Sequence, residues 1–280
     1  MDKIVVTGSA GKTGPFVIEE FGNHGYEVYG VDRNEDIRSS AAGDIRGVRA
    51  DLTSLGETIE AFEGASAVVH LANVALPGLR PPTDTFIENV SINYNVFRAA
   101  GILGVDTVVW LSSAAVAEQF FGDDADIPVP LGRETLVQPA SAYALSKAVT
   151  EYLAGHVATS GGCVVGLRAP LIEDPKDYAA YSRYHHDPDI RRWHMWSYID
   201  ARDVARACRL AVERRPPGVT NMFISAPDTV MDCDIADLFR LRFPGRTPPP
   251  GLAETGAFIS NRQANELIGF EPKHSWRDGR

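Results

Sequence analysis

Short apolar runs alternate with longer amphipathic stretches over the first 170 residues of the chain. The apolar runs are "KIVVTG", "YEVYGVD", "VRADL", "AVVHLAN", "DTVVWLSS" and "CVVGLRAP". The stretches with helical periodicity run from Gly14 to about His24, over "ETIEAFEG" and "DTFIENVSINYNVFRAAGILG", and from about Ser141 to His156. Runs that are nearly all apolar and rich in β-branched residues are typical of strands buried on both faces of a parallel sheet. The alternation therefore predicts an α/β fold with a doubly wound parallel sheet.

The pattern changes after Pro170. Proline, histidine, arginine and aromatic residues are frequent as far as Trp196, and the helical stretch "ARDVARACRLAVERR" follows. "VTNMFISA" is typical of a returning strand, and "SNRQANELIGFEP" of a short helix that ends at Gly269. We therefore predict that residues 1–170 form the doubly wound domain. Residues 171–280 would form a small C-terminal substrate-binding lobe, partly interleaved with the sheet at its carboxyl edge.

Composition narrows the class of protein. The chain has 280 residues, 44% of them apolar, and a formal net charge of −10, which disfavours nucleic acids and anionic membranes as partners. Its three cysteines are far apart and form no CxxC pair, so we expect no disulfide framework and a reducing compartment. No apolar run reaches the length of a membrane span, and "MDKIVVTGSAGKTG" enters a strand pattern without a signal-peptide layout. We expect a soluble, cytoplasmic protein.

A glycine-rich turn, "TGSAGKTG", follows the first predicted strand and opens the first predicted helix. Gly8, Gly11 and Gly14 are spaced by three. Glycine permits a tight turn and lets main-chain N–H groups approach a pyrophosphate at the helix N-terminus. The spacing G-x-x-G-x-x-G differs from the usual dinucleotide fingerprint, and a P-loop is excluded because it needs glycine where this chain has Val6. The turn indicates a dinucleotide site, with a plain tight turn as the alternative.

Two acidic residues end the second and third predicted strands. The Asp32 carboxylate is placed to accept both ribose hydroxyls of an adenosine and to repel a 2′-phosphate, which favours NAD. Arg33, its neighbour, keeps NADP open as the alternative cofactor. Asp51 would reach the adenine amino group or remain solvated at its strand end, and Asp32 itself would be a turn residue if no cofactor binds.

Tyr143 and Lys147 lie four residues apart in "YALSK", so they share one face of the predicted helix. A cation beside a phenol favours the phenolate and lowers its pKa. Such a tyrosine can move the proton of an alcohol while a hydride moves at the adjacent carbon, and the lysine can also bind the nicotinamide ribose. "WLSSAAV" adds Ser112 and Ser113 at the end of the fifth strand. A solvated helix face is the alternative, but the order of glycine turn, Asp32, Ser113 and Tyr143/Lys147 favours hydride chemistry.

These motifs together resemble the extended short-chain dehydrogenase/reductase family, the NAD-dependent epimerase/dehydratase group. The stretches that carry the resemblance are "TGSAGKTG", "ADL", "VVHLAN", "ENVSINYNVFRAA", "VVWLSSAAV", "YALSK", "LRAP", "YIDARDVARA" and "LIGFEP". It implies that Ser113 is the catalytic hydroxyl, Tyr143 the acid/base and Lys147 its partner. It also implies a structural role for His70. A homodimer would form through the long helix from about Thr85 and the Tyr143 helix.

The motifs and the resemblance define the expected site. The residues expected at the cofactor are Gly8, Ala10, Gly11, Lys12, Thr13, Gly14, Asp32, Arg33, Asp51, Leu52, Leu71, Ala72, Asn73, Asn89, Ser112, Tyr143, Lys147 and Pro170. The residues expected at the substrate are Val74, Ser113, Ala114, Tyr143, Arg183 and Trp193.

Departures from the family pattern narrow the range of reactions and substrates that we expect. Ala114 and Ala115 stand where dehydratases carry an Asp-Glu pair, which makes dehydration unfavourable. Leu171 in "RAPLIEDP" stands where nucleotide-sugar enzymes use an asparagine to hold the phosphates. The chain is partly similar to uronate dehydrogenases, which oxidise a free sugar acid at C1. Ala179 stands near where their carboxylate-binding arginine is expected, and Arg183 is the candidate substitute.

The segment "YSRYHHDPDIRRWHMWSYID" is interpreted as a substrate-lining or lid segment. Its arginines, Arg183, Arg191 and Arg192, would contact an anionic or polyhydroxylated ligand, and Trp193 or Trp196 would stack on a sugar. An ordinary packed connection or a subunit contact is the alternative. Three histidines, His185, His186 and His194, suggest metal ligands. Two of them are adjacent and no acidic residue or cysteine clearly completes a site, so we expect no metal.

The sequence thus predicts an NAD(P)-dependent oxidoreductase that transfers hydride between nicotinamide and a secondary alcohol, ketone or hemiacetal carbon of a sugar-like substrate. An epimerase that oxidises its sugar transiently with bound NAD is the main alternative. A non-catalytic dinucleotide sensor on the same fold is a third, which the Tyr143/Lys147 pair argues against.

Overall fold

A seven-stranded parallel sheet forms the centre of the molecule in the computed structural model, which describes residues 2–34, 46–121, 128–157 and 162–278. The strands are β1 Lys3–Thr7, β2 Glu27–Asp32, β3 Arg46–Arg49, β4 Ala67–His70, β5 Thr107–Ser113, β6 Cys163–Ala169, β7 Leu171–Glu173, β8 Tyr198–Asp200 and β9 Gly218–Phe223. The order in the sheet is β3-β2-β1-β4-β5-β6-β9, and β7 and β8 form a separate parallel pair. The strand order reverses between β1 and β4, which confirms the predicted doubly wound sheet.

Helices cover both faces of the sheet. They are α1 Gly14–Asn23, α2 Leu55–Phe62, α3 Pro82–Leu103, α4 Ala142–Val157, α5 Ala201–Arg214, α6 Ile235–Arg242, α7 Leu252–Thr255 and α8 Arg262–Ile268. Three 3₁₀ segments span Ala114–Phe121, Pro175–Arg183 and Arg192–His194. None of the helices in the described part of the chain is long and apolar enough to cross a membrane.

The pleat of the strands divides the core into two layers. Ile4 and Val6 of β1 pack with α1, α5 and α8, whereas Val5 points to the opposite face and packs with α2, α3 and α4. Every residue of β5 and β6 is buried, as expected for central parallel strands covered on both faces. Burial on both faces explains why these strands appear in the sequence as nearly continuous apolar runs.

A third cluster lies in the C-terminal part of the chain. Trp196, Tyr198, Phe239, Phe258 and Trp276 are its large buried rings. The residues after Pro170 do not all belong to it, because β9 pairs with β6 in the main sheet and α5 and α8 pack on the α1 side. The C-terminal part thus contributes both to the sheet and to this separate aromatic cluster.

The predicted third strand is displaced in the structure. The expected run "VRADL" reaches position 52, but β3 ends at Arg49. Asp51 instead begins a turn, in which its carboxylate accepts a hydrogen bond from Thr53 N at 3.0 Å and its main-chain oxygen accepts one from Ser54 N at 2.9 Å. Ser54 then caps α2 by accepting a hydrogen bond from Glu57 N. Local side-chain hydrogen bonding therefore ends the strand before the acidic residue.

Candidate active site

A cleft of about 430 Å³ opens at the carboxyl ends of the central strands. Its lining takes Gly8 from the end of β1, Asp32 from β2, Leu71 from β4, Ser113 from β5 and Pro170 from β6. The cleft lies where the strand order reverses, and connections that leave in opposite directions open a crevice at that point. This is the position in the fold at which a ligand is expected.

The glycine turn forms one wall of the cleft because two of its positions leave no room for a side chain. Gly8 has φ 69°, and a Cβ there would lie 2.7 Å from Ala72 N. A Cβ on Gly14 would lie 2.3 Å from Ser9 O. The turn therefore packs directly against the chain after β4 and against itself. As a result, the N-terminus of α1 borders the cleft. This cradle fits the pyrophosphate of a dinucleotide.

Asp32 is fixed at the edge of the same wall. Its carboxylate accepts hydrogen bonds from Ala10 N at 3.1 Å and from Asn34 N at 3.0 Å. Arg33 lies 2.9 Å from the Glu88 carboxylate, which also pairs with Arg80. A ribose bound at Asp32 would therefore meet a carboxylate whose orientation is fixed by main-chain hydrogen bonds. The guanidinium of the neighbouring Arg33 is paired with Glu88 of α3.

Other expected cofactor residues also line the cleft. Asp51 does so, and hydrogen bonds from the main chain and hydroxyl of Thr53 hold the pKa of its carboxyl below the usual range. Asn73 lines it as well, and its buried Oδ1 has no hydrogen-bond partner among the described residues. The remaining expected cofactor residues that the cleft brings together are Ala10, Gly11, Lys12, Thr13, Leu52, Ala72, Ser112, Tyr143, Lys147 and Pro170.

Ser113, Tyr143 and Lys147 all line the cleft, and each of them is at most 9% exposed. Lys147 Nζ lies 5.7 Å from the centre of the Tyr143 ring and donates a hydrogen bond to Leu111 O at 2.8 Å. Ser113 Oγ accepts a hydrogen bond from Ala115 N at 3.1 Å. Burial lowers the pKa of Lys147 from 10.5 to about 7. The cleft thus contains a hydroxyl, a phenol and an amine that changes protonation near neutral pH.

A buried polar network holds α4, which carries Tyr143 and Lys147, against the sheet. His70 bonds to Thr7 Oγ1 and to Asn93 Oδ1, both at 2.7 Å, and Asn93 donates to Thr150 Oγ1 at 2.7 Å. Burial lowers the pKa of His70 to about 3, so the ring is neutral. His70 therefore has the structural position that the sequence resemblance implied.

Three expected ligand contacts are turned away from the cleft. Asn89 and Val74 are buried outside its lining, because Asn89 Oδ1 accepts a hydrogen bond from Val74 N at 2.7 Å and its amide donates to Ser146 Oγ at 3.1 Å. Ser112 borders the cleft, but its hydroxyl donates to Glu151 at 2.7 Å within a buried ion pair of Glu151 with Arg168. These side chains join elements of the fold instead of facing a ligand.

The segment of residues 181–200 contributes different side chains to the cleft from those expected. Arg183 is exposed and lies outside the cleft, at the end of its 3₁₀ segment. Arg191 is paired with Glu173 at 2.8 Å. Trp196 is fully buried, with its indole N–H donating to Pro188 O at 2.8 Å. Trp193 does line the cleft and is 64% exposed, and Ala114 lines it as expected.

His194 is a cleft residue that the sequence analysis did not assign to the substrate. It is 7% exposed, lines the cleft beside Trp193, and neither of its ring nitrogens has a hydrogen-bond partner among the described residues. Burial lowers its pKa to about 3, so the imidazole is neutral. One nitrogen then donates and the other accepts, which suits hydroxyl groups. Its sequence neighbours gave no signal for this role, since which rings face the cleft depends on the packing of the whole segment.

Lys12 ties the glycine turn to the C-terminal part of the chain. Its Nζ lies 3.0 Å from Glu173 and 2.6 Å from Asp177. Glu173 also binds Arg191 and accepts a hydrogen bond from Tyr181 at 3.4 Å. The Lys12 side chain, expected at the cofactor, is thus held at the mouth of the cleft by two carboxylates.

Comparison with known proteins agrees with this geometry. Residues 4–222 match the model of the NAD dependent epimerase/dehydratase family. The chain belongs to this family. As a member of the NAD-dependent epimerase/dehydratase family it is an enzyme of the extended short-chain dehydrogenase/reductase type, as the sequence motifs predicted.

Family members with different activities are similar to this chain. It is 28% identical to UDP-glucose 4-epimerase of Corynebacterium glutamicum, over 98% of this chain and 92% of that protein. It is also 28% identical to L-arabinose 1-dehydrogenase (NAD(P)(+)) of Haloferax volcanii, over 78% of this chain and 85% of that protein. The solved structure of MoeE5 in complex with UDP-glucose and NAD has a TM-score of 0.71 at 27% identity and covers 99% of this chain and 95% of that one.

Proposed function

We propose that the protein is an NAD-dependent oxidoreductase that transfers hydride between nicotinamide and a secondary alcohol, ketone or hemiacetal carbon of an uncharged, sugar-like substrate. The observation that carries the proposal is that Ser113, Tyr143 and Lys147 line the same cleft as the glycine turn, with Lys147 beside the Tyr143 ring and bonded to Leu111 of the Ser113 strand. The held Asp32 carboxylate and the engagement of Arg33 by Glu88 favour NAD over NADP.

The three polar groups divide the proton chemistry between them. Bound NAD supplies the acceptor for the hydride. Ser113 Oγ is placed to hydrogen-bond the substrate oxygen, and Tyr143 Oη takes the hydroxyl proton as the C–H bond breaks. Lys147 favours the phenolate form of Tyr143 when charged. In the reverse direction Tyr143 returns its proton to the oxygen of the reduced carbonyl group.

The charge of the cleft supports an uncharged substrate. The cationic side chains among the described lining residues are Lys12, Arg33 and Lys147. Lys12 is held by Glu173 and Asp177, and Arg33 by Glu88, while Lys147 lies buried beside Tyr143. Apart from the amine of Lys147, the described lining therefore offers no uncompensated cation to a sugar carboxylate or a diphosphate. Trp193 and the neutral His194 suit the face and hydroxyls of a neutral sugar.

The alternative is an epimerase that oxidises and re-reduces its sugar on a retained NAD. The similarity to UDP-glucose 4-epimerase over nearly the whole chain favours this second function. The similarity to an L-arabinose dehydrogenase, whose named substrate is uncharged, favours the first. The two functions use the same Ser113, Tyr143 and Lys147 and differ in whether NADH accumulates.

The deciding experiment measures NADH absorbance with purified enzyme, NAD and matched substrates. The panel pairs neutral aldoses with the corresponding uronic acids and adds nucleotide sugars. We expect NADH to form with a neutral sugar and more slowly with its uronic acid. Tyr143→Phe should still bind NAD but lose turnover by several orders of magnitude, and near-wild-type turnover in that variant would refute the mechanism. A new stereoisomer of a nucleotide sugar without NADH would establish the epimerase instead.

We also infer a homodimer that buries the outer faces of α3 and α4. Ile87 and Tyr94 lie seven residues apart on α3, as do Leu145 and Tyr152 on α4, and all four are more than 40% exposed. Residues seven apart share one helix face, so each helix presents an apolar stripe. Light scattering should give a dimer for the wild type and a monomer for Tyr94→Glu/Tyr152→Glu. A monomeric wild-type protein would contradict the inference.

A further inference from the structure

Three potential metal ligands converge outside the cleft. His185 Nε2 lies 2.9 Å from His186 Nε2 and 3.9 Å from Asp232 Oδ2, and the ligand atoms of the three residues all lie within 4.8 Å of one another. We propose that this His–His–Asp cluster binds one divalent transition-metal ion of the zinc type. In the sequence no acidic residue or cysteine clearly completed a site with the histidines, whereas the fold brings Asp232 to them from the loop before α6.

The geometry of the cluster is close to that of a coordinated ion. Ligand atoms about 2.0–2.1 Å from a tetrahedral zinc lie roughly 3.3 Å apart. The separations of 2.9 Å and 3.9 Å lie on either side of this value, and the third is no more than 4.8 Å. The two imidazole planes are inclined by 81° with centroids 4.0 Å apart, so the rings are adjacent without being stacked face to face. Two imidazoles and one carboxylate suit zinc, nickel or cobalt better than calcium or magnesium. The fourth position would be taken by water.

The surrounding contacts hold two of the ligands in place. His185 is 6% exposed, and its ring stacks on Trp276 with centroids 5.5 Å apart. Asp232 N donates a hydrogen bond to His185 O at 3.0 Å, which joins the two ligand-bearing segments through the main chain. Arg277 donates to Asp232 Oδ1 at 3.0 Å, which orients the carboxylate with Oδ2 towards His185. Partners of this kind fix the orientation of metal ligands.

The local charge also favours a cation. Arg277 bridges two carboxylates, Asp228 at 3.0 Å and Asp232 at 3.0 Å, so one positive charge faces two negative ones. Two further carboxylates follow in the sequence, Asp234 at the N-cap of α6 and Asp237 in its first turn. The chain from residue 228 to residue 237 therefore carries more carboxylates than Arg277 compensates.

A metal here would be structural and independent of the proposed reaction. None of His185, His186 and Asp232 is among the residues that line the cleft. The ion would join the turn at residues 185–186 to the loop at residue 232. The same segment continues into Trp193 and His194, which do line the cleft. The cluster would therefore stabilise the segment that forms the substrate end of the cleft.

Direct metal binding tests the proposal. The full chain, freed of any affinity tag and treated with EDTA, is titrated with ZnCl₂ by calorimetry, and bound zinc is counted by elemental analysis. We expect one zinc ion per chain and a melting temperature that rises with zinc and falls again with EDTA. His186→Ala removes an exposed ligand and should weaken binding by at least about tenfold.

The matched control is His24→Ala, which removes an exposed histidine far from the cluster and should bind zinc as the wild type does. Circular dichroism verifies that each variant is folded before titration. A folded wild-type chain that binds no zinc, or equal zinc affinity in His186→Ala and wild type, would overturn the proposal. Neither readout depends on activity, so the result stands whatever the reaction of the cleft.

Discussion

Lys147 Nζ donates a hydrogen bond to the main-chain oxygen of Leu111 at 2.8 Å, and this contact anchors α4 to β5. Leu111 lies two residues before Ser113, so the same contact aligns the helix of Tyr143 with the strand of the proposed catalytic hydroxyl. The amine is 2% exposed, and burial lowers its pKa from 10.5 to about 7. The residue that aligns the site is therefore also a buried base.

Replacing Lys147 should change how stability depends on pH. The folded-state pKa of about 7 lies below the unfolded value of 10.5, so the unfolded chain binds more protons between these pH values. The free-energy cost of burying the charged Lys147 amine is greatest below pH 7 and disappears as pH rises to 10.5. The stability of the wild type relative to Lys147→Met should therefore rise over this window, by up to roughly 4 kcal/mol.

Urea denaturation at several pH values between 7 and 10 measures this difference. Lys147→Met also loses the bond to Leu111 O, but that loss does not vary with pH. Lys176→Met serves as the control because Lys176 is fully exposed, and it should show no such trend between pH 7 and 9. A stability difference between wild type and Lys147→Met that stays constant with pH would disprove the buried charge.

Gly14→Ala should damage the dinucleotide cradle. The added Cβ would lie 2.3 Å from Ser9 O, a main-chain atom that moves only with the turn. We expect a loss of about 1–3 kcal/mol in stability and a drop in NAD affinity of at least about tenfold. Gly56→Ala on α2 has nothing within 4 Å of its new Cβ and should be neutral or stabilising by up to about 1 kcal/mol. Equal NAD affinity in both variants, by calorimetry, would count against the cradle.

Glu88→Gln should shift cofactor preference towards NADP. The change removes a carboxylate that lines the cleft and releases Arg33 and Arg80 from their ion pairs. A freed guanidinium beside Asp32 would bind a 2′-phosphate, so the NADP/NAD ratio of kcat/KM should rise about tenfold. Glu60→Gln, an exposed change on α2, should leave the ratio unaltered. An unchanged ratio in Glu88→Gln would show that Arg33 does not govern the preference.

His194→Phe should weaken substrate binding more than it slows the chemical step. The ring borders the cleft, and its two buried nitrogens have no hydrogen-bond partner among the described residues, so hydrogen bonds that they form with a substrate would act on ground state and transition state alike. We expect KM for a neutral sugar to rise about tenfold, with kcat within about twofold. Because burial lowers the pKa of His194 to about 3, the effect on KM should be constant from pH 5 to 8. A variant with wild-type KM would remove His194 from the substrate site.

The sheet could be predicted from the sequence because its signals are local. β1, β5 and β6 are continuous apolar runs, and the spacing of glycines after β1 places a tight turn at a helix start. Parallel strands bring their carboxyl ends to one edge, so residues that follow different strands could be placed together without a structure. β3 was placed too far along the chain because the carboxylate of Asp51 competes with strand pairing.

The site was predictable where a residue type is required by its position. Gly8 and Gly14 cannot carry a side chain, and Tyr143 and Lys147 share a helix face by periodicity. Side-chain direction was not predictable where it depends on distant partners. Asn89 turns to the main chain of Val74 and to Ser146 and lies outside the cleft lining, which includes His194 but not Arg183.

The sequence by itself determined the chain order of the seven main-sheet strands, the glycine turn and the Tyr143/Lys147 pair, because each depends on residues close together in the chain. Only the tertiary structure decided which charges are compensated. Lys12 meets Glu173, Arg33 meets Glu88, and Asp232 arrives beside His185 through packing between segments far apart in sequence. Such contacts depend on how whole elements pack, which no local pattern of residues encodes.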